Sequence, residues 1–249
     1  MTKVFVHGNP ETAAIWGPLI AALSERGVDD AVAVSPPGFG APVPEGFEAT
    51  PAGYVDWLAN ELEAIDGPID LVGHDWGTGH VLGLAASRPD LIRSWAVDIL
   101  GIAHGDYVWH DAAQIWRTPG AGEEMVEGMA ALPTADKAAM FVGFGMPEQI
   151  ATEVAEWLNA DMAASILSLY RGADPEVLAD LAARLEAADR RPALAISALD
   201  DPYVAADLAT EPAERFGATV VELPGKGHWW MFGDLAPAAD ALTAFWASL

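Results

Sequence analysis

The sequence predicts an α/β architecture: a mostly parallel sheet of about six strands flanked by helices, with a helical cap inserted in it. Three observations carry this reading. Short apolar runs of strand length alternate with helix-period stretches over most of the chain. The rhythm lapses once, between 102 and 190, where helical patterns follow one another with no clear strand. Hydrophobic residues make up 52% of the 249, enough for a sizeable core.

Lys3–Val6 reads as a buried strand, and helix-period residues follow from about Ala13 to Arg26. Ala31–Val34 is a second strand, ended by Ser35-Pro36-Pro37-Gly38. Thr50 to Ile65 is helical, with Thr50 as N-cap and Pro51 in the first helical position. Ile69–Val72 is a third strand, and its helix runs to about Ser87. Leu91–Leu100 contains a fourth strand, Ala193–Ser197 is a fifth and Thr219–Glu222 a sixth. A last helix spans roughly Pro237 to Ser248. Strands alternating with helices make a parallel sheet covered on both faces. The insert carries helices at Asp111–Trp116, Gly122–Ala131, Pro147–Leu158, Met162–Tyr170 and Pro175–Ala188. The expected division is a core of 1–101 and 191–249 with a cap of 102–190. The cap should lie over the C-terminal edge of the sheet, where ligands bind in open α/β sheets.

Thirty-seven acidic against twelve basic residues give a net charge of −25. Such a surface repels phosphate backbones and anionic membranes, so nucleic-acid and membrane partners are not expected. It also suits plain solubility. The N-terminal segment has no basic stretch followed by an apolar one, and no apolar run reaches the roughly 18 residues that span a bilayer. A cytoplasmic protein is the expectation. Cysteine is absent, which removes disulfides, thiolate metal sites and a thiol nucleophile. No pair of histidines stands at i, i+4, so no metal is expected. Gly38-Phe39-Gly40 lacks a full G-x-G-x-x-G and opens no helix, so no nucleotide cofactor is expected either.

Gly73-His74-Asp75-Trp76-Gly77 lies between the third strand and its helix. This is a Gly-x-nucleophile-x-Gly turn with aspartate at its centre. The turn lifts the central side chain to the sheet edge and aims the next N–H, that of Trp76, at an oxyanion. Aspartate sets the reaction class. A carboxylate attacking an ester gives an unstable anhydride. Attacking an sp3 carbon, it gives an alkyl ester that water can hydrolyse. The leaving group is then a halide or the oxygen of a strained epoxide. The water needs a base, and His228 in Gly227-His228-Trp229 follows the last strand. A carboxylate should orient its imidazole. Asp201, after the fifth strand, is the first choice, and Asp98, at the end of the fourth, is the competitor. His7-Gly8-Asn9-Pro10 follows the first strand and can supply a second oxyanion N–H from its backbone.

Together these residues resemble the α/β-hydrolase superfamily, and within it the branch of epoxide hydrolases and haloalkane dehalogenases. The family usually has two further strands before the His-Gly motif, so a smaller sheet is expected here. Asn9 with Trp76 resembles the halide-holding pair of the dehalogenases, although Glu11-Thr12 continues the motif differently. Tyr170-Arg171 resembles the second cap tyrosine of epoxide hydrolases, and His110 stands about where their first donor belongs, with Tyr107 as an alternative. Some fluoroacetate dehalogenases carry the same His and Tyr but place Arg after the nucleophile, where this chain has Trp76. The resemblance implies a small, apolar, neutral substrate, most simply an epoxide, with a haloalkane as the alternative. A neutral epoxide needs an acid at its oxygen, whereas a halide needs only N–H donors. Some proteins of the fold bind ligands without catalysis, and that reading stays open. Trp109, Trp116, Trp229, Trp230 and Phe232 are candidate walls of an apolar pocket.

Overall fold

Side chains alternate across a strand, and β1 sorts them into two cores. Phe5 packs on one face with Trp16, Leu19, Leu242 and Trp246, while Val4 and Val6 pack on the other with Leu58, Leu62 and Val81. The structure is a computed structural model that describes residues 1–249. Its strands are β1 Thr2–Val6, β2 Ala31–Val34, β3 Ile69–Gly73, β4 Ser94–Val97, β5 Ala193–Ala198 and β6 Ala218–Leu223. They form one parallel six-stranded sheet in the order β2-β1-β3-β4-β5-β6. The helices are α1 Gly17–Ser24, α2 Pro51–Glu63, α3 Trp76–Ser87, α4 Asp111–Arg117, α5 Ala121–Ala131 and α6 Thr134–Gly143. They continue with α7 Glu148–Trp157, α8 Ala160–Arg171, α9 Pro175–Ala187, α10 Thr210–Phe216 and α11 Ala236–Ala247. From β1 the chain steps one way to β2, then returns past β1 to β3. The loops leaving β1 and β3 therefore diverge at a switch point, which opens a crevice at their C-terminal ends.

The elements match the sequence pattern closely, with three differences. The helix expected from Ala13 begins as a tight 3-10 turn, Ala13–Trp16, before α1. Helices α6 and α10 have no sequence signature. The first buries only Lys137 and Phe141 along its length, and the second has seven residues. Neither repeats an apolar face long enough to be seen. Finally, α9 packs back on α3, its Ala182 and Leu185 joining the same core as Val81 and Leu84. The helices that stay beyond the sheet edge are α4 to α8. No helix is long and apolar enough to cross a membrane.

At the opposite edge of the sheet, Asp70 pins three strands. It sits across from Lys3 on β1 and Ser94 on β4. Its fully buried carboxylate meets Lys3 Nζ at 3.1 Å, Arg93 Nη2 at 2.6 Å and Ser94 Oγ at 2.6 Å. Burial works to raise its pKa, but the Arg93, Ser94 and Lys3 contacts outweigh that and leave it lowered. Its stabilising contribution is thus present above the ordinary carboxylate range and is lost as pH falls through the lowered folded value. Asp70→Ala strands the half-buried Arg93 and buried Lys3 charges and should cost about 3 kcal/mol in urea unfolding near neutral pH. An unchanged midpoint would show that the ion cluster does not hold the strands in register.

Candidate active site

The corner between β3 and α3 is turned by Asp75, with φ 51° and ψ −123°. A non-glycine residue holds such a backbone only where its surroundings force it. The forcing is visible in the neighbouring glycines. A Cβ on Gly77 would lie 2.2 Å from the Val6 carbonyl oxygen, and one on Gly73 would lie 2.6 Å from the Gly77 oxygen. The elbow is thus wedged against the end of β1. The loop leaving β1 closes over it: a Cβ on Gly8 would lie 2.1 Å from Asp75 Oδ1. That approach lets the Asn9 N–H donate to Oδ1 at 2.8 Å. The Trp76 N–H opens α3, where no helical carbonyl can take it. These are the two N–H groups expected to face an oxyanion. The Asn9-Pro10 peptide is cis.

His228 sits beside the elbow, its Nε2 3.9 Å from Asp75 Oδ2. Its Nδ1 is 2.9 Å from Asp201 Oδ2. Asp201 is itself anchored, its Oδ1 accepting from Tyr203 N at 2.7 Å and Val204 N at 3.3 Å. It is therefore both a turn cap and the partner of the imidazole. Burial would raise its pKa, but the hydrogen bond and charge of His228 and the two backbone N–H groups leave it lowered. Burial opposes charge on His228 too, yet the bond from Asp201 with the charges of Asp201 and Asp75 leaves its pKa raised. Asp75 is raised to about 6, by burial first and by the nearby Glu11 charge, against the opposing pull of His228.

Asp98, the competing orienter, does not reach His228. Its oxygens are spent elsewhere. One accepts from Asp75 N at 3.0 Å and Thr78 Oγ1 at 3.1 Å; the other accepts from Trp230 Nε1 at 2.6 Å and pairs with His74 Nδ1. The residue after it, Ile99, is β-branched with φ 37°, a strained turn that carries the chain away from β4.

The other flank of His74 was not legible as a site. Its Nε2 lies 3.1 Å from Glu11 Oε1, and Glu11 also accepts from Gly8 N at 3.0 Å and from the Trp229 indole. Both nitrogens of His74 face carboxylates. Burial works against the cation, but Asp98 and Glu11 together hold its pKa well above the ordinary value. A buried Glu11–His74–Asp98 row thus underlies the elbow, with a positive imidazolium at its middle. The only sequence signal for Glu11 was its departure from the usual continuation of the His-Gly motif.

Four aromatic groups meet above Asp75. Tyr170 is 2% exposed, and its hydroxyl accepts from Asn9 Nδ2 at 3.3 Å. Burial, then the charge of Asp75, raise its pKa well above the usual value, so it stays a phenol. His110 caps α4: its Nδ1 accepts from Ala113 N at 3.3 Å. A nitrogen that accepts carries no proton, so the neutral ring carries its N–H on Nε2. Burial keeps it neutral by lowering its pKa. Tyr203, one residue past the Asp201-Pro202 turn, packs edge-on to His228 at 4.8 Å and against His110 at 4.9 Å. Tyr107 lies further out, packed edge-on to Trp109.

Two cavities share this cluster. Asp75, His110, Tyr170 and Tyr203 line both. The first lobe, about 580 Å³ counted to its mouth, runs past Trp76, Trp109, Ile99, Ile102, Tyr107 and Leu178. The second, about 660 Å³, runs past Asn9, Met125, Met129, Met140, Phe141 and Trp229. Neither has a lysine or arginine in its wall. Trp116 lines the second lobe, whereas Trp230 and Phe232, expected as possible walls, are core residues.

A model of the alpha/beta hydrolase family matches residues 4–241. The chain belongs to that family. Among α/β hydrolases of known activity, an (E)-2-((N-methylformamido)methylene)succinate hydrolase of Acinetobacter baylyi is 27% identical over 221 residues, covering 85% of this chain and 77% of that protein. A haloalkane dehalogenase of Mesorhizobium japonicum is 30% identical over 140 residues, covering 50% of this chain and 42% of that one. Among solved structures, the Cif epoxide hydrolase from Acinetobacter nosocomialis superposes with a TM-score of 0.77 at 20% identity, over 98% of this chain and 82% of that chain. The fold is shared with all three activities, so the side chains at the elbow must decide among them.

Within this α/β hydrolase, Glu11, His74 and His228 bring three potential metal-ligating atoms within 4.8 Å of one another. The donor set is already committed. His74 uses both nitrogens on Asp98 and Glu11, and His228 uses Nδ1 on Asp201. Neutralising the carboxylate beside His74 should cost more than neutralising the one beside His228. Asp98→Asn leaves the buried His74 charge half-paired and should lower stability by about 3 kcal/mol. Asp201→Asn keeps an oxygen for His228 or for the Tyr203 and Val204 N–H groups and should cost about 1 kcal/mol. Thermal unfolding of the two variants side by side checks this, and equal losses would contradict it.

Proposed function

We propose that this protein is a hydrolase that forms an alkyl ester on Asp75, and that its substrate is an epoxide converted to a vicinal diol. The carrying observation is that Tyr170 and His110 line both lobes together with Asp75, the one a phenol and the other with its N–H left on Nε2. In the first step an Asp75 oxygen attacks an epoxide carbon. The C–O bond opens and its electrons stay on oxygen, where Tyr170 and His110 hydrogen-bond the developing alkoxide and deliver the proton. Oδ1 is fixed by Asn9 N–H, which leaves Oδ2, on the His228 side, as the attacking atom. In the second step His228 Nε2 takes a proton from water while the hydroxide adds to the ester carbonyl. Asn9 and Trp76 N–H groups hold the oxyanion, and Asp201 stabilises the imidazolium. Collapse expels an alkoxide that takes the proton from His228, the carboxyl proton returns to the cap donor, and the diol leaves a restored Asp75.

The lobes favour a neutral substrate. Walls without a cation, in a chain of net charge −25, give a dicarboxylate no partner. That separates this site from the substrate named for the A. baylyi relative. A haloalkane is the second reading, favoured by one observation. The Trp76 indole edge meets the Tyr170 ring at 5.2 Å and 84°, yet its buried Nε1 makes no hydrogen bond of normal geometry. A free N–H donor beside the nucleophile suits a departing halide. Both readings share the carboxylate nucleophile and an ester on Asp75, a 2-hydroxyalkyl ester from an epoxide and a plain alkyl ester from a haloalkane.

Purified protein offered styrene oxide and 1-bromobutane in parallel should yield diol without bromide release. Bromide without diol would transfer the leaving group to Asn9 and Trp76. Asp75→Ala should abolish turnover of either substrate, and full activity in that variant would end the mechanism. His228→Phe should trap substrate as a mass increase on Asp75, whereas prompt turnover would remove His228 as base. The pH profile follows from two raised values. Asp75 must be ionised to attack, so ester formation should rise through about pH 6. His228 must be neutral to act, and its raised value places ester hydrolysis higher on the pH scale. Quenched-flow mass spectrometry should therefore find more accumulated ester near pH 6 than near pH 8. The reverse order would contradict the assignment of the two groups.

A further inference from the structure

His80 stands five residues beyond the elbow on α3, so about 7 Å along the helix axis from Asp75. It is 1% exposed and lies between two rings, stacked on Tyr54 at 4.8 Å and 25° and facing Trp76 at 6.2 Å and 28°. It forms part of the wall of the first lobe. Nothing in the protein hydrogen-bonds it, and its Nε2 is wholly enclosed without a partner. The Tyr54 hydroxyl, a donor on the neighbouring ring, is used by the Pro37 carbonyl at 2.8 Å. Burial, with the nearby His7, pushes its pKa down to about 3, so the ring is neutral with one N–H and one lone pair. Buried polar groups in folded proteins are nearly always hydrogen-bonded. A phenylalanine would stack between Tyr54 and Trp76 without stranding a polar atom. Nε2 is sealed off, so Nδ1, unpartnered and not enclosed, is the nitrogen that the lobe can reach, and the mechanism above makes no use of the ring.

We propose that His80 is a specificity-determining residue, hydrogen-bonding an uncharged oxygen carried by the substrate arm in the first lobe. The proposal rests on the reading of Asp75 as nucleophile, because that defines the lobe as a substrate arm. The partner is a carbonyl, ether or hydroxyl about 7 Å from the reacting carbon. A carboxylate is disfavoured, since the neutral ring and cation-free walls offer it no charge. The site would then select a substrate with two unlike arms. One is apolar, among Met125, Met129 and Met140, and the other carries an oxygen toward His80.

The test uses two unreactive probes of one shape, heptan-4-one and its hydrocarbon isostere 2-propylpent-1-ene. Affinities for the full-length protein are measured by ligand-observed NMR, and histidine ring nitrogens are followed in protein labelled with 15N-histidine. In the wild type one ring, identified by its absence from His80→Gln, should shift saturably with the ketone and stay still with the hydrocarbon. The ketone-to-hydrocarbon affinity ratio should fall about fivefold in His80→Leu and recover in His80→Gln. A ratio that is the same in all three proteins, with a ring signal indifferent to the ketone, overturns the proposal and assigns the ring to a retained water. If His80→Leu does not fold, the wild-type ring titration decides alone. Because neither probe reacts, absent turnover of epoxide and bromide would defeat the catalytic reading while leaving this result to stand.

Discussion

The close approach of two backbones governs this molecule. The chain leaving β1 and the corner leaving β3 touch where Gly8 and Gly77 have no Cβ to keep them apart. From that contact follow the strained Asp75, the N–H that fixes its Oδ1, and the position of α3. A parallel sheet with a switch point between β1 and β3 makes the contact possible, since only there do successive loops part and leave room above the strand ends. The sheet delivers the geometry, and the glycines allow it to close.

Beneath the corner lies a second constraint, electrical rather than steric. Glu11, His74 and Asp98 come from three separate segments, two following strands and one within the elbow itself. Buried charges survive only when paired, so these segments cannot be rearranged independently. Asp98 binds the Asp75 N–H, the Thr78 hydroxyl and the Trp230 indole, while Glu11 takes the Trp229 indole. The loop that carries His228 is thus tied down just after the imidazole by adjacent tryptophans reaching different carboxylates. His228 itself is held by Asp201, outside that row.

What could be read from the sequence, and what could not, divides along the range of the interaction. The elbow was legible because its requirement is local: glycine two positions either side of a nucleophile, between a strand and a helix. The positions of the strands and most helices were legible because burial repeats with a fixed period. Asp98 was misplaced as a rival for His228 because a single aspartate at a strand end looks the same whichever histidine it meets. The two histidines, His74 and His228, lie 4.6 Å apart as rings, yet 154 positions separate them in the chain. Glu11 was invisible for the same reason, since its partners are assembled by the fold. His80 carried no signal at all, for a histidine on an apolar helix face looks like packing until its lack of partners is seen.

His110 gives one more consequence. A proton in a cavity is usually placed by the cavity. Here it is placed by a helix: α4 claims Nδ1 for its first turn, and the N–H on Nε2 is what remains. The His110 tautomer is therefore written partly into the stability of a seven-residue helix at the cavity wall. Sequence drift on the outer face of α4, far from any bound molecule, would loosen that first turn and let the tautomer wander. Chemistry at the centre can be retuned from the periphery, with every cavity residue left in place.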